Sequence, residues 1–218
     1  MRYDICLFDL DGTLSDPKLG IPKSFQYALE SFGIHEELDK LVKFIGPPLR
    51  SSFRESYGMS EADTEIAVTK FREYLGEKGL YENEIYSGIP EALQKLKESG
   101  IKLAVVTSKA SIFAERAIEY FKLGNYFALV SGDTLDGGLT KNGKRDLINI
   151  ALDSLDPERK LRAVMIGDRK DDIHGALDAG IENIGVLWGY GSEAELRTAG
   201  AGQLAESVGA LCRFILGE

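Results

Sequence analysis

The chain of 218 residues has two cysteines, two histidines, one tryptophan and six prolines, and it contains neither a basic run nor an apolar run approaching the length of a membrane span. Each scarcity removes a class of protein. Cys6 and Cys212 have no third cysteine beside them and no metal-ligand spacing, so both read as buried thiols, not as a disulfide framework or a zinc site. His35 and His174 are too separated to form a ligand cluster, and each reads as a surface or helix-end residue. The formal net charge of -9 argues against general nucleic-acid binding, because a phosphate backbone is held by a basic surface. A small phosphate ester in a locally positive pocket remains compatible with that balance. Met1, Arg2, Tyr3 and Asp4 lead straight into an apolar strand, without the positive segment and long apolar stretch of a signal peptide. A cytoplasmic location and no membrane partner are therefore expected. The few prolines stand against 24 glycines, a balance that suits many strand-to-helix turns.

What the sequence does have is concentrated first in ICLFDLDGTLSD, residues 5–16. Ile5, Cys6, Leu7 and Phe8 form a short continuous apolar run, the pattern of a strand buried on both faces. It ends in Asp9 and Asp11, and Gly12 and Thr13 then turn the chain. In a parallel α/β sheet the carboxyl ends of strands open onto the binding crevice, so these two acids are expected to face a ligand. One can attack while the other carries a proton, and carboxylate oxygens also suit a hard cation such as Mg2+. The bland alternative is a solvated turn in which Asp11 and Thr13 satisfy backbone N–H groups.

Residues 16–85 then read as helices without a convincing strand. Phe25, Tyr27, Ala28, Leu29 and Phe32 mark one helix, and a second runs from about Glu36 to Phe44 before IGPP interrupts it. A third runs from Leu49 to Tyr57, and Ser60 caps a fourth. Such a block between one strand and a later strand-helix alternation is the pattern of an inserted helical domain, 16–85, in a core made of 1–15 and 86–218. In the second half, strands are expected at Lys102–Val106, Tyr126–Val130, Arg162–Ile166 and Ile184–Leu187, with helices between them and two helices covering the remainder. LDGGLTKNG reads as a turn-rich connection. Thr107 with Ser108, and Gly167 with Asp168, end two of these strands, and parallel strands would bring them to the sheet edge that carries Asp9 and Asp11. Lys144 precedes the apolar pattern Leu147, Ile148, Ala151 and is the preferred cation for that edge; Lys141 is the alternative.

In this order the residues resemble the motifs of the haloacid dehalogenase-like phosphohydrolases, over essentially the whole chain. Asp9-Leu10-Asp11-Gly12-Thr13-Leu14 is similar to the nucleophile motif, Thr107 to the second motif, Lys144 to the third, and Gly167-Asp168-Arg169-Lys170-Asp171-Asp172 to the acidic fourth. GPP near residue 46, GDRKDD and WGYG near residue 188 resemble the phosphoglycolate phosphatase and 5'-nucleotidase-like branch. The resemblance implies a Rossmann-like α/β core of three layers with an inserted α-helical cap, and Mg2+-dependent hydrolysis of a small phosphorylated metabolite. It implies Asp9 as nucleophile and Asp11 as acid and base. Mg2+ would be held by Asp9, the Asp11 carbonyl and Asp168, with Asp172 as a direct or water-mediated ligand. Thr107, Ser108 and Lys144 would grip the phosphoryl group, and Asp171 would pair with Lys144 or face solvent. Ser108 stands where the branch often has asparagine, which leaves its side-chain contact to the leaving group open.

Other readings stay beside this one. A phosphosugar mutase would return the phosphoryl group to substrate, but its branch fits Gly167-Asp168 less well. A haloacid dehalogenase does not call for a second acid such as Asp11, and a silent binding module would not need the full set of acids. Arg50, after GPPL, is expected to reach substrate from the cap or else to be a solvated helix residue, and Trp188 with Tyr190 either lines the rim or packs a loop. The oligomeric state is left open.

Overall fold

Ile5–Phe8, every residue of it buried, forms β1 at the middle of a parallel sheet in the computed structural model, which describes residues 2–141 and 143–218. Ser15–Asp16 is a two-residue β2, followed by α1 (Gly20–Glu30), α2 (Leu38–Leu41) with a 3-10 turn at Val42–Phe44, α3 (Leu49–Tyr57) and α4 (Glu61–Tyr74). A π-helical turn, Leu75–Gly79, leads to β3 (Glu84–Ile85). The second half continues as α5 (Ile89–Glu98), β4 (Lys102–Ala110), α6 (Ser111–Tyr120), β5 (Leu129–Asp133), α7 (Arg145–Leu155), β6 (Ala163–Gly167), α8 (Lys170–Asp178), β7 (Glu182–Val186), α9 (Glu193–Thr198), β8 (Gln203–Ala205) and α10 (Val208–Leu216). Among the described residues no helix is long and apolar enough to cross a membrane. Asn142, in the expected turn-rich connection, lies outside them.

The main sheet has the order β5-β4-β1-β6-β7-β8, and its paired strands are parallel. Phe8 stands opposite Val105 on one side and Ile166 on the other, so the residues that follow all three strands emerge at one edge. Ile5, Leu7, Ala104, Val106, Ala163 and Met165 face α7 and α8 through Leu147, Ile148, Ala151, Leu152 and Ala176. The alternate residues of the same strands are buried against the opposite face, where α5 and α10 pack together and right-handed crossover places α6. An apolar run without polar alternation is what a strand covered on both faces requires.

The chain divides into two compact units, Met1–Ser15 with Ile85–Glu218, and Asp16–Glu84. The second unit is helical and has an aromatic core: Phe25 stacks on Phe44 at 4.8 Å, lies tilted against Phe53 at 4.8 Å and meets Phe71 edge-on at 5.0 Å. Ser60 caps α4, its hydroxyl accepting from the Asp63 N–H at 3.1 Å. β2 and β3, where the chain passes from one unit to the other, pair as a two-stranded sheet too short to show a sequence pattern.

Several elements depart from the sequence expectation, among them three in the second half. The strand expected at Tyr126–Val130 lies at Leu129–Asp133, because its ladder begins at Ala104↔Leu129 and takes in polar Ser131 and Asp133. Hydrophobicity alone placed it three residues early. β4 runs past Thr107 to Ala110, and β8, absent from the expectation, is three residues set between the last two helices.

Candidate active site

Asp9 follows β1 directly, with its N–H donating to the Ile166 carbonyl at 2.9 Å. The N–H groups of Thr13, Leu14 and Ser15 all converge on the Leu10 carbonyl, which winds the chain into a tight turn beneath Asp11. Gly12 has φ +90, and a Cβ there would come within 2.3 Å of Asp168 Oδ2. A side chain at this position is therefore excluded by backbone conformation and by the neighbouring acid.

Lys144 precedes α7 and is buried, with 4% of its side chain exposed. Its Nζ lies 2.8 Å from Asp9 Oδ1 and is also paired with Asp172 Oδ1. Burial alone would lower the lysine's pKa; the charges of Asp172 and Asp9 reverse that and hold the ammonium above its ordinary value. Lys141 is exposed, and Asp171 is only half-buried and is not the partner of Lys144. Asp172 has that place, its Oδ2 accepting from the Arg169 N–H at 3.0 Å.

Asp168 is fully buried after β6, accepting from Thr13 Oγ1 at 3.2 Å and from the Tyr190 N–H at 2.8 Å. Burial and then the charge of Asp9 push its carboxyl up to about 6. Trp188 donates from Nε1 to the Thr13 carbonyl at 3.0 Å, so the WGYG loop braces the turn that carries Asp11. That is loop packing, one of the two roles expected for Trp188. Ligand atoms of Asp9, Asp168 and Asp172 lie within 4.8 Å of one another. Three buried acids this close together are an electrostatic excess that a hard divalent cation would relieve.

Thr107 is buried at the corresponding end of β4, its Oγ1 accepting from the Lys109 N–H at 3.3 Å. Ser108 follows it, half-buried. Sequence reasoning missed Lys109, whose Nζ pairs with Asp11 Oδ2. The available signal was a lysine two residues after Thr107. Arg50 belongs to the helical unit, where its guanidinium forks onto Glu65, Nε to Oε1 at 2.6 Å and an amino group to Oε2 at 2.8 Å. Sequence gave no sign of that partner, fifteen positions away on the next helix.

A buried aspartate paired with a buried lysine, with a second acid two residues on and two further acids from a neighbouring strand and helix, fits a known class. The chain belongs to the haloacid dehalogenase-like hydrolases, whose family model matches residues 6–186. Within that class it is a phosphatase. It is 45% identical over 198 residues to a 5'-nucleotidase of Pseudomonas aeruginosa, covering 90% of this chain and 88% of that one. It is also 30% identical over 187 residues to a phosphoglycolate phosphatase of Aquifex aeolicus, covering 85% of each. Its structure is similar, with a TM-score of 0.93 and 43% identity over 100% of both chains, to that of a predicted phosphatase from Clostridium acetobutylicum.

Proposed function

We propose that the protein hydrolyses a small phosphomonoester with Mg2+ as cofactor, through a phosphoryl group carried on Asp9. The pairing of Lys144 with Asp9 Oδ1 carries this reading: it orients the carboxylate and leaves Oδ2 as the attacking oxygen. Asp9 Oδ2 attacks phosphorus, the bond to the leaving oxygen breaks, and Asp11 gives that oxygen its proton. Asp11 then removes a proton from water, which attacks the same phosphorus and releases orthophosphate and free Asp9. Thr107 Oγ1 accepts from a backbone N–H and so keeps its own proton for a phosphoryl oxygen. Ser108 and Lys144 complete the grip on the remaining oxygens.

The donor set fits the cofactor. Asp9, the Asp11 carbonyl and Asp168 would hold Mg2+, which when bound neutralises charge on the nucleophile and the phosphoryl oxygens. Asp172 already has Lys144 on one oxygen and the Arg169 N–H on the other, so its share is assigned through a water. The named relatives support phosphoglycolate or a nucleoside 5'-monophosphate as the substrate. Orthophosphate release from phosphoglycolate, nucleoside 5'-monophosphates, sugar phosphates and pyrophosphate, with Mg2+ and with EDTA, tests the reading. Isomerised sugar phosphate without orthophosphate would replace it with a mutase, and full turnover in EDTA would remove the metal.

A further inference from the structure

The acid assigned to the leaving group has a cation of its own. Lys109 Nζ is paired with Asp11 Oδ2, and the two side chains are 7% and 10% exposed. Asp11 Oδ1 is buried and has no hydrogen-bond partner. An unpaired buried acceptor is unfavourable unless a ligand supplies its donor, and the proton that Asp11 shares with a leaving oxygen would do so.

Lys109 reaches this place through an irregularity in β4. Thr107 pairs with Gly132 and Ala110 with Asp133, so Ser108 and Lys109 are extra residues on β4 with no counterpart on β5. Such a bulge bends its strand and re-aims the side chains it carries. Its backbone passes so close to β5 that a Cβ on Gly132 would lie 2.8 Å from the Lys109 carbonyl and from Ser111 Cα. Gly132 thus admits the bulge, and the bulge delivers the ammonium. Lys144 is committed to two carboxylates, whereas Lys109 has one partner among the described residues and two N–H donors to spare.

We propose that Lys109 is a specificity-determining residue that binds an anionic group on the leaving-group side of the substrate. The inference rests on the assignment of Asp11 as the acid that meets the leaving oxygen. An ammonium bonded to that acid stands on the leaving-group side of phosphorus, and an anion a few bonds from the ester oxygen falls within its reach. In the step itself the P–O bond breaks and the Asp11 proton goes to the departing oxygen. Lys109 keeps its protons and compensates the second charge. The substrate class is a phosphoester whose leaving group bears a carboxylate or a further phosphate, which selects phosphoglycolate over a nucleoside 5'-monophosphate with its uncharged leaving nucleoside.

The test compares Lys109→Met and Lys109→Arg with wild type on an aryl phosphate with an uncharged leaving group, on phosphoglycolate and on pyrophosphate. Lys109→Met is expected to lower kcat/KM for an anionic-leaving-group substrate about 10- to 100-fold more than for the aryl phosphate, chiefly through KM, the scale of a hydrogen bond to a charged group. Lys109→Arg should recover part of the loss. Whichever of phosphoglycolate and pyrophosphate loses more identifies the anion as carboxylate or phosphate. Should Lys109→Met fail to fold, Lys109→Gln gives the same comparison. An equal loss on all three substrates overturns the proposal and assigns Lys109 to positioning Asp11. Wild-type turnover confined to the aryl phosphate overturns it as well, while leaving the phosphatase reading intact; no turnover on any phosphoester defeats both.

Discussion

Thr13 Oγ1 donates to Asp168 Oδ1 at 3.2 Å across 155 positions of sequence, which joins the turn after β1 to the end of β6. The bond matters because Asp168 is a fully buried acid, and its protonation should be readable in stability.

In metal-free protein the Asp168 carboxyl, pushed from 3.8 up to about 6 by burial and Asp9, holds a proton that the unfolded chain has already lost. Between about pH 4 and pH 6 the folded state therefore binds more protons, and stability falls as pH rises, by roughly 3 kcal/mol. Saturating Mg2+ should keep Asp168 ionised and flatten this fall. Urea midpoints across that range in EDTA and in Mg2+ check it; identical pH slopes would take Asp168 out of the metal site.

Asp9→Asn should accumulate no phosphoenzyme, whereas Asp11→Asn should still form it and turn over about 10²- to 10⁴-fold more slowly. Acid quenching followed by phosphoprotein analysis separates the two. Equal labelling of Asp9→Asn and wild type would remove Asp9 as nucleophile.

Lys144→Ala leaves Asp9 and Asp172 without their shared ammonium, and removal of one partner from a buried pair costs about 3–5 kcal/mol. The exposed Lys141→Ala should stay within about 0.5 kcal/mol of wild type. Thermal melts and kcat/KM for the two variants decide between these lysines. A larger activity loss in Lys141→Ala, with both proteins folded, would reverse the assignment.

Arg50→Ala removes a bidentate pair with Glu65 on a partly exposed surface, for an expected loss of about 0.2–1 kcal/mol. Because the guanidinium is already committed, the kcat/KM ratio between phosphoglycolate and a neutral aryl phosphate should hardly move. A tenfold change in that ratio would bring Arg50 to the substrate after all.

The parts legible in the sequence were those written locally. Ile5–Phe8 announces a doubly covered strand, Ser60 announces a helix start, and the acids after β1 and β6 stand where parallel strands must end. Lys109 was not legible as a site residue, because its direction depends on a bulge and the bulge depends on which β5 residue lies opposite. The partner of Arg50 was not legible for a similar reason: the chain shows a cation after a proline turn but not the acid waiting on α4. β8 escaped notice because three residues are too few to show a period.

Trp188 is the single tryptophan of the chain, and its indole N–H is fixed to the carbonyl of Thr13. Fluorescence excited at the red edge of the absorption band therefore comes from one place, hydrogen-bonded to a residue two positions along the chain from Asp11. The emission is a built-in reporter: titration with metal or orthophosphate can be followed in the unmodified protein, without a label and without turnover.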